Sequence, residues 1–200
     1  MGCSHKEVVN IVVDTLINWG YIVKTEAWVS KTLNSIEKFK FNIANAFLGK
    51  NSPWISLHNP EFQTRLDVVG IYYDDCMEMP LHTFFARKSA EEITFRTILI
   101  EVEHRHSLEE AVERIKDFSA GKKIIVWTRG RIGGFLENIP IIVARDESFG
   151  CYVPELPKIL QEHIESIRKH VENTKESTNP DKKQSEEKER SWEDLHNLFY

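Results

Sequence analysis

Residues 95–103, FRTILIEVE, constrain the fold more than any other stretch of the chain. The run is β-rich and too apolar for an exposed edge, so it belongs in the middle of a sheet. It nevertheless ends in two carboxylates one residue apart, followed at once by His-Arg-His. Side chains alternate faces along a strand, so Glu101 and Glu103 point the same way while Ile100 and Val102 point the other. Two adjacent, partly buried anions repel each other. They persist together only if a metal, Arg or Lys sits between them, or if one carboxyl stays protonated. Residues 64–73, TRLDVVGIYY, pose the same problem, because Asp67 interrupts a second apolar strand. Three acids from two neighbouring strands can converge on one hard cation, and Mg²⁺ prefers oxygen ligands with room left for water and a phosphate.

The rest of the chain supplies a frame for these strands. From Lys6 to Trp19 apolar residues recur at helical spacing, and Gly20 stops the helix. Residues 21–29, YIVKTEAWV, alternate as a strand. SIEKFKFNIANAFLG reads as a helix ending at Gly49 and NSPWISLHNP as a loop, while residues 74–94 read as an irregular connection. SLEEAVERIKDFSAG is a helix with Ser107 as N-cap, Glu110 completing a capping box and Gly121 beyond its end. KKIIVWT is a fourth strand, RGRIGGFLENIP a loop or short helix, IIVAR a fifth strand, and ELPKILQEHIESIRKHV a closing amphipathic helix. The fold class is therefore α/β, an αβββαβ arrangement with a mixed sheet flanked by helices and an insertion before the second strand. Residues 1–172 form this domain, 173–190 a charged disordered linker, and 191–200 a short interaction helix.

RLDVVGI, then ILIEVE with its first acid 34 positions after Asp67, then a helix and KKIIVWT, resemble the core of the PD-(D/E)xK nuclease superfamily, the restriction-endonuclease-like fold. The resemblance covers about Lys6 to Thr128. It implies a nuclease in which Asp67 and Glu101 bind Mg²⁺ or Mn²⁺ with help from the backbone carbonyl of Val102. The first helix of that family often adds an acid, and Glu7 is the candidate here. The family usually has Lys where this chain has Glu103, although a minority of type II restriction enzymes carry Glu there and remain active. Glu103 then acts as general base or further metal ligand, or else the site has decayed. Lys122 and Lys123 are candidates for a migrated ammonium group, against the simpler reading of solvated helix-end charges. The bland reading of Glu101 and Glu103 pairs them with Arg65 and Arg105.

Further features bear on partners. His104 and His106 flank the acids, but a His-x-His pair without a third ligand is a weak zinc signal. Between Arg114 and Arg131, the residues Arg114, Lys116, Lys122, Lys123, Arg129 and Arg131 oppose Asp117 alone, and TRGRIGG brings glycines whose backbone N–H groups can approach a phosphate. Of these, Lys122, Lys123, Arg129 and Arg131 form, with Arg105, the candidate DNA-backbone contacts, against the alternative of an ordinary charged surface. Trp28, Trp54 and Trp127 read as packing residues. Trp192, Leu195, Leu198 and Phe199 lie on roughly one helical face, a peptide that either docks back on its own domain or binds a partner groove, and that faintly resembles sliding-clamp-binding peptides.

Whole-chain numbers set bounds. The formal charge of −5 excludes a uniformly basic nucleic-acid coat but not a local patch. Three scattered cysteines, Cys3, Cys76 and Cys151, suggest neither a disulfide framework nor a metal cluster, and favour a reducing, cytoplasmic setting. No apolar run is long enough for a membrane span, and MGCSHK lacks the hydroxyl residue that the myristoylation pattern needs at Lys6. The leading expectation is a metal-dependent DNA endonuclease, with a homodimer as the natural way to cut two strands. The competing one is an inactive nuclease-fold DNA-binding or adaptor protein.

Overall fold

The computed structural model describes residues 2–30, 35–49, 63–74, 78–104, 107–118, 120–130 and 133–177. The chain divides into Met1–Ile164, which carries the sheet and the candidate acids, and Glu165–Tyr200, whose described part is helical.

Helix α1 (His5–Asn18) begins at Ser4, whose side chain accepts from the Glu7 N–H, and buries Val8, Val12 and Leu16 at four-residue spacing. Gly20, at φ 82°, turns the chain directly into β1 (Tyr21–Ser30). Strands β1, β2 (Gln63–Tyr72) and β3 (Thr97–Glu103) form an antiparallel series. Helix α5 (Leu108–Ile115) returns the chain so that β4 (Lys122–Trp127) lies parallel to β3. Strand β6 (Ile139–Val143) continues parallel to β4, and β5 (Gly134–Leu136) pairs antiparallel with β6. The sheet order is β1-β2-β3-β4-β6-β5, so the α/β class with a mixed, helix-flanked sheet stands as expected.

Leu99 and Ile98 point to opposite faces by strand alternation. Leu99, Ile125, Ile71 and Val69 pack with Phe39 and Ile43 of α2 (Ile36–Leu48) and with Ala111, Val112 and Ile115 of α5 in one buried cluster. On the Ile98 side α1 approaches closely at Gly70, where an added Cβ would stand 2.9 Å from Ile98 and 3.5 Å from Leu16.

Several elements differ from the sequence reading. Residues 74–94 contain α3 (Leu81–Arg87) and the start of α4 (Ala90–Arg96), which bury Phe84, Phe85 and Ile93. Helices of seven residues are too short to display a periodicity. Phe95 and Arg96 belong to α4, so β3 starts at Thr97. RGRIGGFLENIP holds β5 and a two-residue turn, Glu137–Asn138, with φ of 49° and 64°, the left-handed pair that suits strand twist in a tight hairpin. A second hairpin, β7 (Arg145–Glu147) and β8 (Gly150–Tyr152), was not foreseen. Helix α6 (Leu156–Ser177) runs into the first residues of the expected linker. Cys3 and Cys151 are joined in a disulfide, with Cα atoms 5.7 Å apart, linking the start of α1 to β8 where free thiols were expected. No helix among the described residues is long and apolar enough to cross a membrane. Cys76, Trp54 and the C-terminal peptide with Trp192, Leu195, Leu198 and Phe199 lie outside the described residues.

Candidate functional site

The β2–β3 ladder runs from Ile71–Thr97 to Val68–Ile100 and goes no further. Asp67 and Glu101 are the next residues of the two strands, and their carboxylates take over the backbone pairing. The Val102 N–H donates to Asp67 Oδ2 at 2.8 Å, and the Asp67 N–H donates to Glu101 Oε2 at 3.4 Å. On the other side of β2, pairing passes from Thr25–Val68 to Ala27–Leu66 across Glu26, whose φ of 49° is unusual for a residue with a side chain. The central strand is thus distorted on both sides at Asp67.

Glu101 is 3% and Glu103 1% exposed. Arg114 of α5 answers both, its Nε 2.5 Å from Glu101 Oε1 and its Nη2 2.7 Å from Glu103 Oε2. The second contact is a hydrogen bond; the first is an ion pair in which the N–H is not aligned on the oxygen. One guanidinium serves both carboxyls. Burial, followed by the neighbouring Asp67, pushes Glu101 up to about 7, against the opposing pull of Arg114 and the Asp67 N–H. From the other end of the site His5 of α1 places Nε2 3.2 Å from Asp67 Oδ2. His104 binds the Thr128 hydroxyl through Nδ1 at 2.7 Å. These groups line an open pocket of about 550 Å³ whose wall also includes Ser4, Lys6 and Arg65.

The structure therefore brings Asp67, Glu101, Val102 and Glu103 together. Other candidates stand elsewhere. Glu7 is exposed and turned to Ser4, and α1 offers His5 to the acids instead. Lys122 and Lys123 pair in register with Ile98 and Leu99, at the end of β3 away from the acids, roughly 10 Å along the strand from Glu101. Lys123 donates to the Lys116 carbonyl at 2.9 Å, and its burial lowers its pKa, so neither lysine supplies the ammonium group of a nuclease site. Arg65 pairs with Glu26 at 3.1 Å rather than with Glu101 or Glu103. Arg129 lines a separate pocket beside Thr128 and Arg145. Gly133 is required by packing, since a Cβ there would meet the Ile141 carbonyl at 2.6 Å. Trp28 is half exposed, and Trp127 packs on the core. Arg105, His106 and Arg131 lie outside the described residues.

Arg114 and His5 are the functional residues that the sequence reading missed. Arg114 carried a signal: it falls between Ala111 and Ile115 on the helix that directly follows the acidic strand, at the margin of a buried face. His5 gave none, because only folding brings the start of α1 to Asp67.

In donor type the acids fit a divalent cation, since the carboxylates of Asp67, Glu101 and Glu103 bring hard oxygens to one pocket. Their oxygens are nevertheless turned to Arg114, to His5 and to two backbone N–H groups. Among the described residues no three His, Cys, Asp or Glu side chains converge as metal ligands. No protein-family model, curated protein or solved structure matches the chain.

Proposed function

We propose that the protein is a metal-dependent nuclease that hydrolyses DNA phosphodiester bonds, with Asp67 and Glu101 holding Mg²⁺ or Mn²⁺. The observation that carries this reading is the meeting of Asp67 and Glu101 where β2 and β3 part, inside an open pocket rimmed by Lys6 and Arg65. With α2 set aside before β2, and α3 and α4 before β3, the order of helix, three antiparallel strands, helix and parallel strand up to Trp127 supports a restriction-endonuclease-like core. When bound, the metal would polarise a phosphoryl oxygen and lower the pKa of a coordinated water. The Val102 N–H holds the Asp67 carboxylate in place, and the Asp67 N–H does the same for Glu101. Glu103 is buried and hydrogen-bonded to Arg114, which makes it a positioning residue in place of the general base that its sequence position suggests. Lys6 and Arg65 offer charge to the phosphate backbone at the pocket mouth.

Nicking of supercoiled plasmid DNA with Mg²⁺ or Mn²⁺, stopped by chelation and absent in Asp67→Ala and Glu101→Ala, is the expected result. Cleavage that persists in both variants refutes the assignment. The neutralisation of two acids by Arg114 favours a second reading, a DNA-binding module without chemistry. That reading predicts DNA affinity that survives chelation and falls steeply with salt, with no cleavage.

A further inference from the structure

Resting on the nuclease reading, we infer that Arg114 is an internal counter-ion that a divalent cation must displace from Glu101 before the site can load. Both oxygens of Glu101 are committed: Oε1 to the Arg114 guanidinium and Oε2 to the Asp67 N–H. The backbone contact is long, at 3.4 Å, and follows from the strand geometry. The Arg114 contact is the one that holds an acid oxygen against a cation.

The two arms of Arg114 are unequal. Nη2 makes an aligned hydrogen bond to Glu103, whereas Nε meets Glu101 as an unaligned ion pair. The side chain of Arg114 is 32% exposed, so it can swing toward solvent while both glutamates stay buried. A metal entering from the pocket takes Oε1 of Glu101, and Arg114 stays with Glu103. The exchange replaces one positive charge at Glu101 by two. It leaves no acid without a partner, which is the condition under which buried carboxylates are tolerated. It also explains why Glu103 stands in an acidic strand at all: it is the berth that keeps Arg114 when Glu101 is released. The ligand set is then assembled by the cation instead of standing ready for it.

The experiment is calorimetric titration of MnCl₂ and MgCl₂ into the full chain, comparing wild type with Arg114→Met and Arg114→Lys, together with thermal melts with and without metal. Removing a cation that competes for Glu101, and that repels the incoming ion, should tighten Mn²⁺ binding by at least about tenfold in Arg114→Met. Arg114→Lys, whose single ammonium group cannot span both acids, should fall between. Without metal Arg114→Met should melt below wild type, and saturating Mn²⁺ should raise its melting temperature by more than it raises that of wild type. If Arg114→Met folds only with metal present, Arg114→Lys still gives the affinity comparison. Wild-type binding with unchanged or weaker binding in both variants overturns the inference and leaves the nuclease reading intact. No binding by wild type overturns both.

Discussion

Glu101→Gln, studied in chelator so that no metal contributes, should flatten the dependence of stability on pH. The glutamine keeps the shape of the side chain and an acceptor for the Asp67 N–H. It cannot ionise. In the folded wild type burial and the neighbouring Asp67 push Glu101 up to about 7, from 4.5 for a free glutamate. A folded pKa above the unfolded one means that the native state binds more protons in between. Stability from this group is therefore full below the unfolded value and is lost as pH rises toward 7, then levels off. At about 1.4 kcal/mol per unit, the total loss is about 3 kcal/mol, most of it between pH 5 and 8. The group is almost fully buried, so solvent screening takes little from that figure. Urea unfolding of both proteins at pH 5, 6, 7 and 8 isolates Glu101, because every other titrating group is shared. The variant should gain about 2 to 3 kcal/mol on wild type between pH 5 and pH 8. A difference between the two proteins that stays constant with pH, within about 0.5 kcal/mol, refutes the reasoning.

Gly70→Ala should destabilise by about 1 to 3 kcal/mol in chemical denaturation, because its Cβ would stand 2.9 Å from the Ile98 side chain and 3.3 Å from the Tyr21 ring. Tyr21→Phe should cost about 1 to 3 kcal/mol, since it leaves the buried His163 Nδ1 without the tyrosine hydroxyl 2.8 Å away. Burial holds His163 near 4, so it stays neutral at neutral pH, with Nε2 donating to the Phe95 carbonyl. Cys3→Ser should lower stability in oxidising buffer by about 2 to 4 kcal/mol, and dithiothreitol should bring wild type to the same level. Equal stability of wild type in both buffers would show that the bridge does not form in solution.

The sheet was legible because its central strands are long apolar runs with two signals superimposed. β-branched content marks the strands, and the lone acids within them mark the point at which the site opens. Ser107 with Glu110 marks a start that depends on local chemistry alone. α3, α4 and the β7–β8 hairpin were not legible, since elements of three to seven residues hold less than one clear period and exist through tertiary packing. At the site the acids declared themselves by being costly to bury. Their partner did not. The need for a cation between Glu101 and Glu103 follows from electrostatics, but the choice of Arg114 over Arg65 depends on how α5 lies across β3, which is a property of the fold. Lys122 and Lys123 start β4 opposite Ile98 and Leu99, a placement that favours the simpler reading of helix-end charges over a migrated ammonium group.

The central claim is that Asp67 and Glu101 meet at a divalent cation. Titration of MnCl₂ into wild type and Asp67→Asn, both folded by circular dichroism, tests it most directly. Wild type should bind Mn²⁺ saturably, and Asp67→Asn should lose that binding. Equal binding by the two proteins, or none by wild type, would contradict it.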